Sequence, residues 1–341
     1  MDYTKTWEGK QAADRSCQER IGLYLQAPIG IRPLLDLNSY FILVMHRDPS
    51  IAVIDPITGI TGITKLYAQI NLKQPAADWT KTRDEMRLFV TMPRANEIAV
   101  VDTDTFKVTR NVSAGTEPVR IALQPDGKYL WVGNNAKNAS KSGVTVIDTD
   151  TLTPVQFIAT GRGHHEIAIS DDSLHVFVSN REEGTVSVIE TQRLKKVKDI
   201  KTGPVPISLT FSSRSKALYV ADGETGEISV IDGRSLKESQ TIKAKPGLGP
   251  VRFSQDGRWA VAVNSREDEA YVIDSSTNRI IHTIEVGKQP YQVAFSRTFA
   301  YVRSLGTERV SMINLAEVGK TQSPPVVTFP AGQTGPEDRK S

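Results

Sequence analysis

The residues with chemistry to offer are few. The tripeptide His164-His165-Glu166 sets two imidazoles beside a carboxylate, and imidazole both titrates near neutrality and ligates metals. Successive residues of a strand point to opposite sides. The two imidazoles therefore do not serve one metal together: one faces the site and the other packs into the protein. Each is nevertheless a candidate ligand, with His164 or His165 as the metal-binding choice. A structural, hydrogen-bonded histidine is the plainer role for either. Scattered arginines complete the inventory, and Arg303 stands where its neighbours' pattern has Thr, Ser, Gly or Ala. A buried guanidinium must be paired, so Arg303 either bridges to an adjacent element or contacts a ligand. Cys17 is the only cysteine, which excludes an intramolecular disulfide, a zinc-cysteine cluster and a covalent c-type haem. No phosphate-binding loop, nucleophile elbow or His-Glu-x-x-His motif is present.

What positions these residues is a repeat. The phrase Ile51-Ala52-Val53-Ile54-Asp55 recurs seven times, with its last residue at Asp55, Asp102, Asp148, Glu190, Asp232, Asp274 and Asn314. A spacing of 40 to 47 residues in β-rich sequence is the mark of a propeller with one sheet per repeat. Ten residues before each phrase end, fourteen in the third copy, lies a second apolar run such as Leu130-Trp131-Val132-Gly133-Asn134. The two runs form a hairpin, and the extra residues within 135–142 form a surface loop. A run ahead of the hairpin, closed by Asp126-Gly127 in its clearest copy, and a polar run behind it bring the count to four strands. The fold class is all-β, a seven-bladed propeller of four-stranded antiparallel blades. It spans 28–332, after an extension over 1–27 and before a tail over 333–341. The recurring acids look like a catalytic or metal array, but each precedes a turn such as Thr103-Asp104-Thr105, where Asp and Asn bond their own backbone. They are expected to be structural.

Propeller geometry then sorts the side chains. The start of each first strand and the end of each second strand share one mouth of the central channel. Aligning the repeats puts Asp78, Arg120, Glu166, Ser208 and Gln292 at one level, with Arg32 and Arg252 close by and His164 and His165 adjoining. The second-strand ends add His46, Arg181 and Arg303, beside Asn134, Asn180, Asp222 and Asn264. The mouth is expected to be polar and rich in arginine, suited to a carboxylate or another anion. The loop Lys245-Pro246-Gly247-Leu248-Gly249-Pro250 is expected to project there, onto a partner or over a ligand.

Bulk properties narrow the partners. Forty-two Lys and Arg against 39 Asp and Glu give a net charge of +3 in 341 residues, which lends no support to nucleic-acid binding. No run of 18 apolar residues exists, so no membrane-spanning helix is expected. The start of the chain lacks the pattern of a secretory signal, which fits either a cytoplasmic protein or a mature exported chain given a new start.

Leu130-Trp131-Val132-Gly133-Asn134 and Val176-Phe177-Val178-Ser179-Asn180 resemble the YVTN-repeat family of seven-bladed propellers over residues 28–332. Gly161-Arg162-Gly163-His164-His165-Glu166 and Phe299-Ala300-Tyr301-Val302-Arg303-Ser304-Leu305 are similar to the propeller of cytochrome-cd nitrite reductase. The resemblance implies an exported, periplasmic or extracellular protein and a protein partner, such as a cytochrome or another redox subunit. It also implies a non-covalent haem or metal ion held by His164 or His165 with Arg120, Arg32 and Arg252 around it. No cytochrome-c region accompanies the repeats, which removes the electron donor. The leading expectation is thus a non-catalytic propeller binding a partner or ligand at one mouth, within an exported redox complex. The alternatives are a nitrite-reductase-like oxidoreductase and a general protein-interaction scaffold.

Overall fold

A computed structural model describes residues 41–54, 66–307, 309–320 and 324–330, all within one compact unit. Arg32, the extension over 1–27 and the tail over 333–341 lie outside the described residues. The first sheet is described from its second strand onward: β1 (Ile42–Met45), β2 (Ser50–Ile54) and β3 (Leu66–Asn71). Six four-stranded antiparallel sheets follow in strict chain order, so the molecule is a seven-bladed β-propeller. The first strands of blades two to seven are β4 (Trp79–Lys81), β8 (Pro118–Leu123), β12 (Ile167–Ile169), β16 (Pro206–Ser212), β20 (Leu248–Phe253) and β24 (Pro290–Phe295). The second strands are β5 (Arg87–Met92), β9 (Tyr129–Asn134), β13 (His175–Asn180), β17 (Ala217–Asp222), β21 (Trp259–Asn264) and β25 (Phe299–Ser304). The recurring phrase forms the third strand of every blade, from β2 through β6 (Glu97–Asp102) to β26 (Arg309–Asn314).

The third strands are buried on both faces, as in β6, where Ile98 to Val101 are all covered. Each β-branched residue of the phrase can thus face an adjacent blade whichever way it points. The apolar core divides accordingly. Tyr219 and Val230 of blade five pack with Val251 and Tyr271 of blade six. Val261 and Val272 of blade six pack with Val293 and Val302 of blade seven on the other side. Four further clusters bridge blades one to two, two to three, three to four and four to five. No described cluster lies inside a single blade; every one belongs to two.

The turn after the phrase follows a fixed plan. Asp148 Oδ1 accepts from the N–H of Thr151 at 2.8 Å and of Asp150 at 3.1 Å. Asp102, Asp232 and Asp274 make the same kind of turn, and these hydrogen bonds hold the carboxyls of Asp102, Asp148 and Asp232 below the usual range. Four residues beyond the acid the chain enters the left-handed region, at Phe106, Leu152, Leu194, Leu236 and Asn278. Apolar side chains are unusual there. Leu152, Leu194 and Leu236 pack against the inter-blade clusters, which offsets the backbone cost.

Candidate functional site

Backbone pairing defines one rung of the channel wall. Arg120 lies opposite Gly133, Ser208 opposite Ala221 and Gln292 opposite Arg303. Asp78 and Glu166 take the same place, their carbonyls accepting from the N–H groups of Thr91 and Ser179. Arg252 lies opposite Val261, two residues deeper along its sheet. The two acids share a support that sequence reading missed. Asp78 N–H donates to Thr91 Oγ1 at 2.9 Å and Glu166 N–H donates to Ser179 Oγ at 2.8 Å. The signal was available: among these five blades, the second strand carries a hydroxyl opposite the rung only where the rung residue is an acid.

The rung side chains reach forward onto the next blade. Asp78 Oδ2 accepts from the Ile121 N–H at 3.2 Å, and Ser208 Oγ accepts from the Val251 N–H at 3.1 Å. Arg120 crosses from blade three to blade four, where Nε and Nη2 stand 2.7 and 2.6 Å from Glu166 Oε1. Its Nη1 lies 3.9 Å from Asp78 Oδ2. Arg252 comes up from the deeper rung, donates through Nη1 to Ser208 Oγ at 3.0 Å, and brings Nη2 within 3.8 Å of Glu166 Oε2. His164 Nε2 sits 3.5 Å from Glu166 Oε1. Glu166 is thus the hub of three cationic or donor groups, with only 10% of its side chain exposed. Asp78, Arg120, Glu166 and Arg252 line a channel cavity of about 290 Å³ whose walls continue as Ile167 to Ile169 and Leu209 to Phe211.

The two carboxyls are tuned in opposite directions. Burial alone would raise Glu166, but the hydrogen bond from His164 and the charges of Arg120 and Arg252 outweigh it and hold the carboxyl below its usual range. Burial does raise Asp78, because the attraction of Arg120 and the Ile121 N–H only partly offset it. Since 28% of the Asp78 side chain still meets channel water, that rise is tempered by solvent.

His165 does not face the channel. It is fully buried, with Nδ1 donating to the Ser179 carbonyl at 2.7 Å and Nε2 2.9 Å from Ser142 Oγ. Desolvation depresses its pKa, although the Ser179 hydrogen bond opposes that, so the neutral Nδ1–H form accepts from Ser142. Its Cβ lies close to Gly133, where an added Cβ would stand 3.2 Å from it and 3.5 Å from the Arg120 Cβ. The other expected residues scatter. His46 is exposed in the β1–β2 turn, 3.2 Å from Ser50 Oγ, and does not line the channel cavity. Arg181 lines a separate cavity. Gln292 and Arg303 are exposed, which corrects the picture of a buried Arg303 guanidinium: its strand is covered at Phe299, Ala300, Val302 and Ser304 but not at Arg303. Asn134, Asn264 and Asp222 are buried and serve the fold. They bond Ala114 O, Lys245 O and the Val205 N–H, fastening the loop that leads into their own blade or closes the one before.

Among the described residues, this mouth does not gather the ligand set of a metal centre. His165 has no nitrogen to spare, His164 turns Nε2 to Glu166, and no group of three or more His, Cys, Asp or Glu side chains gathers at ligand spacing among the described residues. The arrangement is instead a preorganised ionic cluster in a channel. No described helix is long and apolar enough to cross a membrane.

Fold and site together define a β-propeller with a charged channel mouth. Residues 63–247 match the family of YNCE-like beta-propellers, and the chain belongs to that family. No curated protein matches the chain in sequence. Among solved structures, the Kuenenia stuttgartiensis hydrazine synthase is similar, with a TM-score of 0.62 and 21% identity over 75% of this chain and 86% of that one. At that identity the likeness speaks to fold.

Proposed function

We propose that the protein is a non-catalytic propeller that captures a partner protein or ligand at this channel mouth, as a subunit or domain of an exported redox assembly. The observation that carries the reading is Glu166, kept ionised by His164, Arg120 and Arg252 around one cavity. A general acid or base works best with a pKa near the operating pH, and a carboxylate held below its usual range is a fixed anchor instead. It fixes two guanidinium groups whose outer edges can meet an incoming carboxylate or another anion. The likeness to exported repeat propellers supports the compartment and the redox setting.

The test is isolation of the protein from its native source with its companions, alongside the Arg120→Gln/Arg252→Gln double variant. The wild-type chain is expected to be colourless and to co-elute with a defined companion or small acid that the double variant loses. Turnover of a substrate by the isolated chain would overturn the reading. So would a companion retained unchanged by the double variant.

A further inference from the structure

A second cavity opens on the same face, and no side chain of the channel cluster lines it. It measures about 490 Å³ and is bounded by Arg181 from the turn after β13 and Arg266 from the turn after β21, with Ile207 and Leu248 as apolar wall and Gly223 and Gly247 in the backbone between them. The Gly/Pro-rich loop before β20 builds this cavity. The Gly247 N–H donates to Gly223 O at 3.0 Å, and the Ser265 N–H donates to Gly247 O at 3.2 Å, locking three turns together. Gly247 has φ +101°, and a Cβ there would stand 2.6 Å from Arg266 Cγ and 2.7 Å from its Cδ. The glycine lets the arginine stem lie flat across the loop, which fixes the base of a long side chain before any ligand arrives.

Three other loop cations are matched, while Lys288 and Arg303, like the two cavity arginines, form no ion pair with a described residue. Lys73 is matched by Glu97, Arg162 by Glu183, and Lys245 by both Glu267 and Glu269. Arg181 and Arg266 form no ion pair with a described residue, and Glu224 on the rim pairs with neither. Two unmatched guanidinium groups thus flank an apolar wall. We propose that this cavity binds a carboxylate carried on an apolar body: the arginine forks take the oxygens, and Ile207 and Leu248 take the apolar part. The chain end of a partner and a free small acid share that chemistry.

The experiment titrates the full chain, by calorimetry, with N-acetyl-L-leucine, 4-methylpentanoate and N-acetyl-L-leucinamide. The first imitates a chain end, the second is a free acid, and the third keeps the body without the carboxylate. At least one acid is expected to bind with a Kd on the order of 1 mM, and the amide at least about tenfold more weakly. Arg181→Gln and Arg266→Gln should each weaken the acid about tenfold, while Arg162→Gln, whose charge Glu183 already matches, leaves it unchanged. All three arginines are exposed, and unchanged circular dichroism confirms that the variants fold. Preference for the acetylated residue identifies a chain end, and preference for the plain acid identifies a small molecule. Equal binding of acid and amide, indifference to both cavity arginines, or no binding of either acid up to about 20 mM would overturn the proposal. None of these outcomes bears on the channel cluster, which these substitutions leave intact.

Discussion

Two carboxylates share Arg120, and their removal should have opposite effects. Glu166 is held below its ordinary value of 4.5. Its contribution to stability is therefore present above pH 4.5 and is lost as pH falls through the lower folded value. Glu166→Gln strands two guanidinium groups and should cost about 1–2 kcal/mol at pH 7, discounted because both arginines reach solvent. The variant and the wild type should converge as pH falls through that folded value. Asp78 is raised by burial above its ordinary 3.8, so ionising it costs stability at neutral pH. Asp78→Asn keeps an acceptor for the Ile121 N–H and should leave stability at pH 7 equal or slightly higher. Urea unfolding of both variants at pH 7 and pH 4 checks the pair, and two losses of similar size at pH 7 would show that Arg120 outweighs burial at Asp78. His165 supplies a further pH dependence. Its folded pKa lies below the ordinary 6.5, so between those values the unfolded chain binds a proton that the folded one refuses. Stability should fall as pH drops below 6.5 and level off at the folded pKa. Thermal melts of wild type and His165→Gln from pH 8 to pH 5 should show that slope only in the wild type.

At the scale of the element, the turn after the phrase gives a clean comparison. Asp232 Oδ1 accepts from the N–H of Ser235 at 2.6 Å and of Arg234 at 3.2 Å. Asp232→Asn keeps the acceptor, as Asn314 does where its Oδ1 receives the Ala316 N–H at 3.0 Å. Asp232→Ala leaves both N–H groups to water and should cost about 1 kcal/mol, against a few tenths for Asn, in urea melts. Equal losses would mean that charge, not the acceptor, is what the turn needs. These turns were legible in the sequence because Asp-x-x-x at a fixed offset is local chemistry. The rung was legible because backbone pairing sets each residue opposite its second strand: Arg120 and Ser208 stand thirteen residues before their partners Gly133 and Ala221, and Gln292 eleven before Arg303 across a shorter turn. Arg252 was placed only approximately: the one-residue shift between Leu248 and Val251 recurs in blades three, five and seven, yet Arg252 falls opposite Val261, two residues deeper than the rung. Orientation was less legible still. That His165 turns inward and His164 toward Glu166 depends on Ser142, Ser179 and Gly133, which come from different strands and loops. Arg266 escaped notice because its significance is the lack of a countercharge, which shows only once Glu267 is seen to be occupied by Lys245.

For the whole molecule, the placement of the core decides how it comes apart. A repeat protein whose units each own a core can lose them one at a time, and its stability is a sum of unit and interface terms. Here every described cluster spans two blades, so the interface term dominates. Tyr219 shows the consequence. It is fully buried on blade five, meets Phe253 of blade six edge-on at 4.8 Å between centroids, and its hydroxyl bonds Asn278 in the turn of that same blade. Tyr219→Ala should cost about 3–5 kcal/mol, and Tyr219→Phe, which loses only the hydroxyl bond, about 1 kcal/mol. The shape of the transition is the sharper test. Trp131 lies in blade three and Trp259 in blade six, the first buried and the second nearly so. If the blades are bound chiefly through shared clusters, tryptophan emission and far-ultraviolet circular dichroism should report one urea transition for wild type. Both signals should move together to lower urea in Tyr219→Ala, with the slope of the transition unchanged. An early step confined to one signal would show that blades five and six detach as a separate unit, and that the ring is held by something other than the cores its blades share.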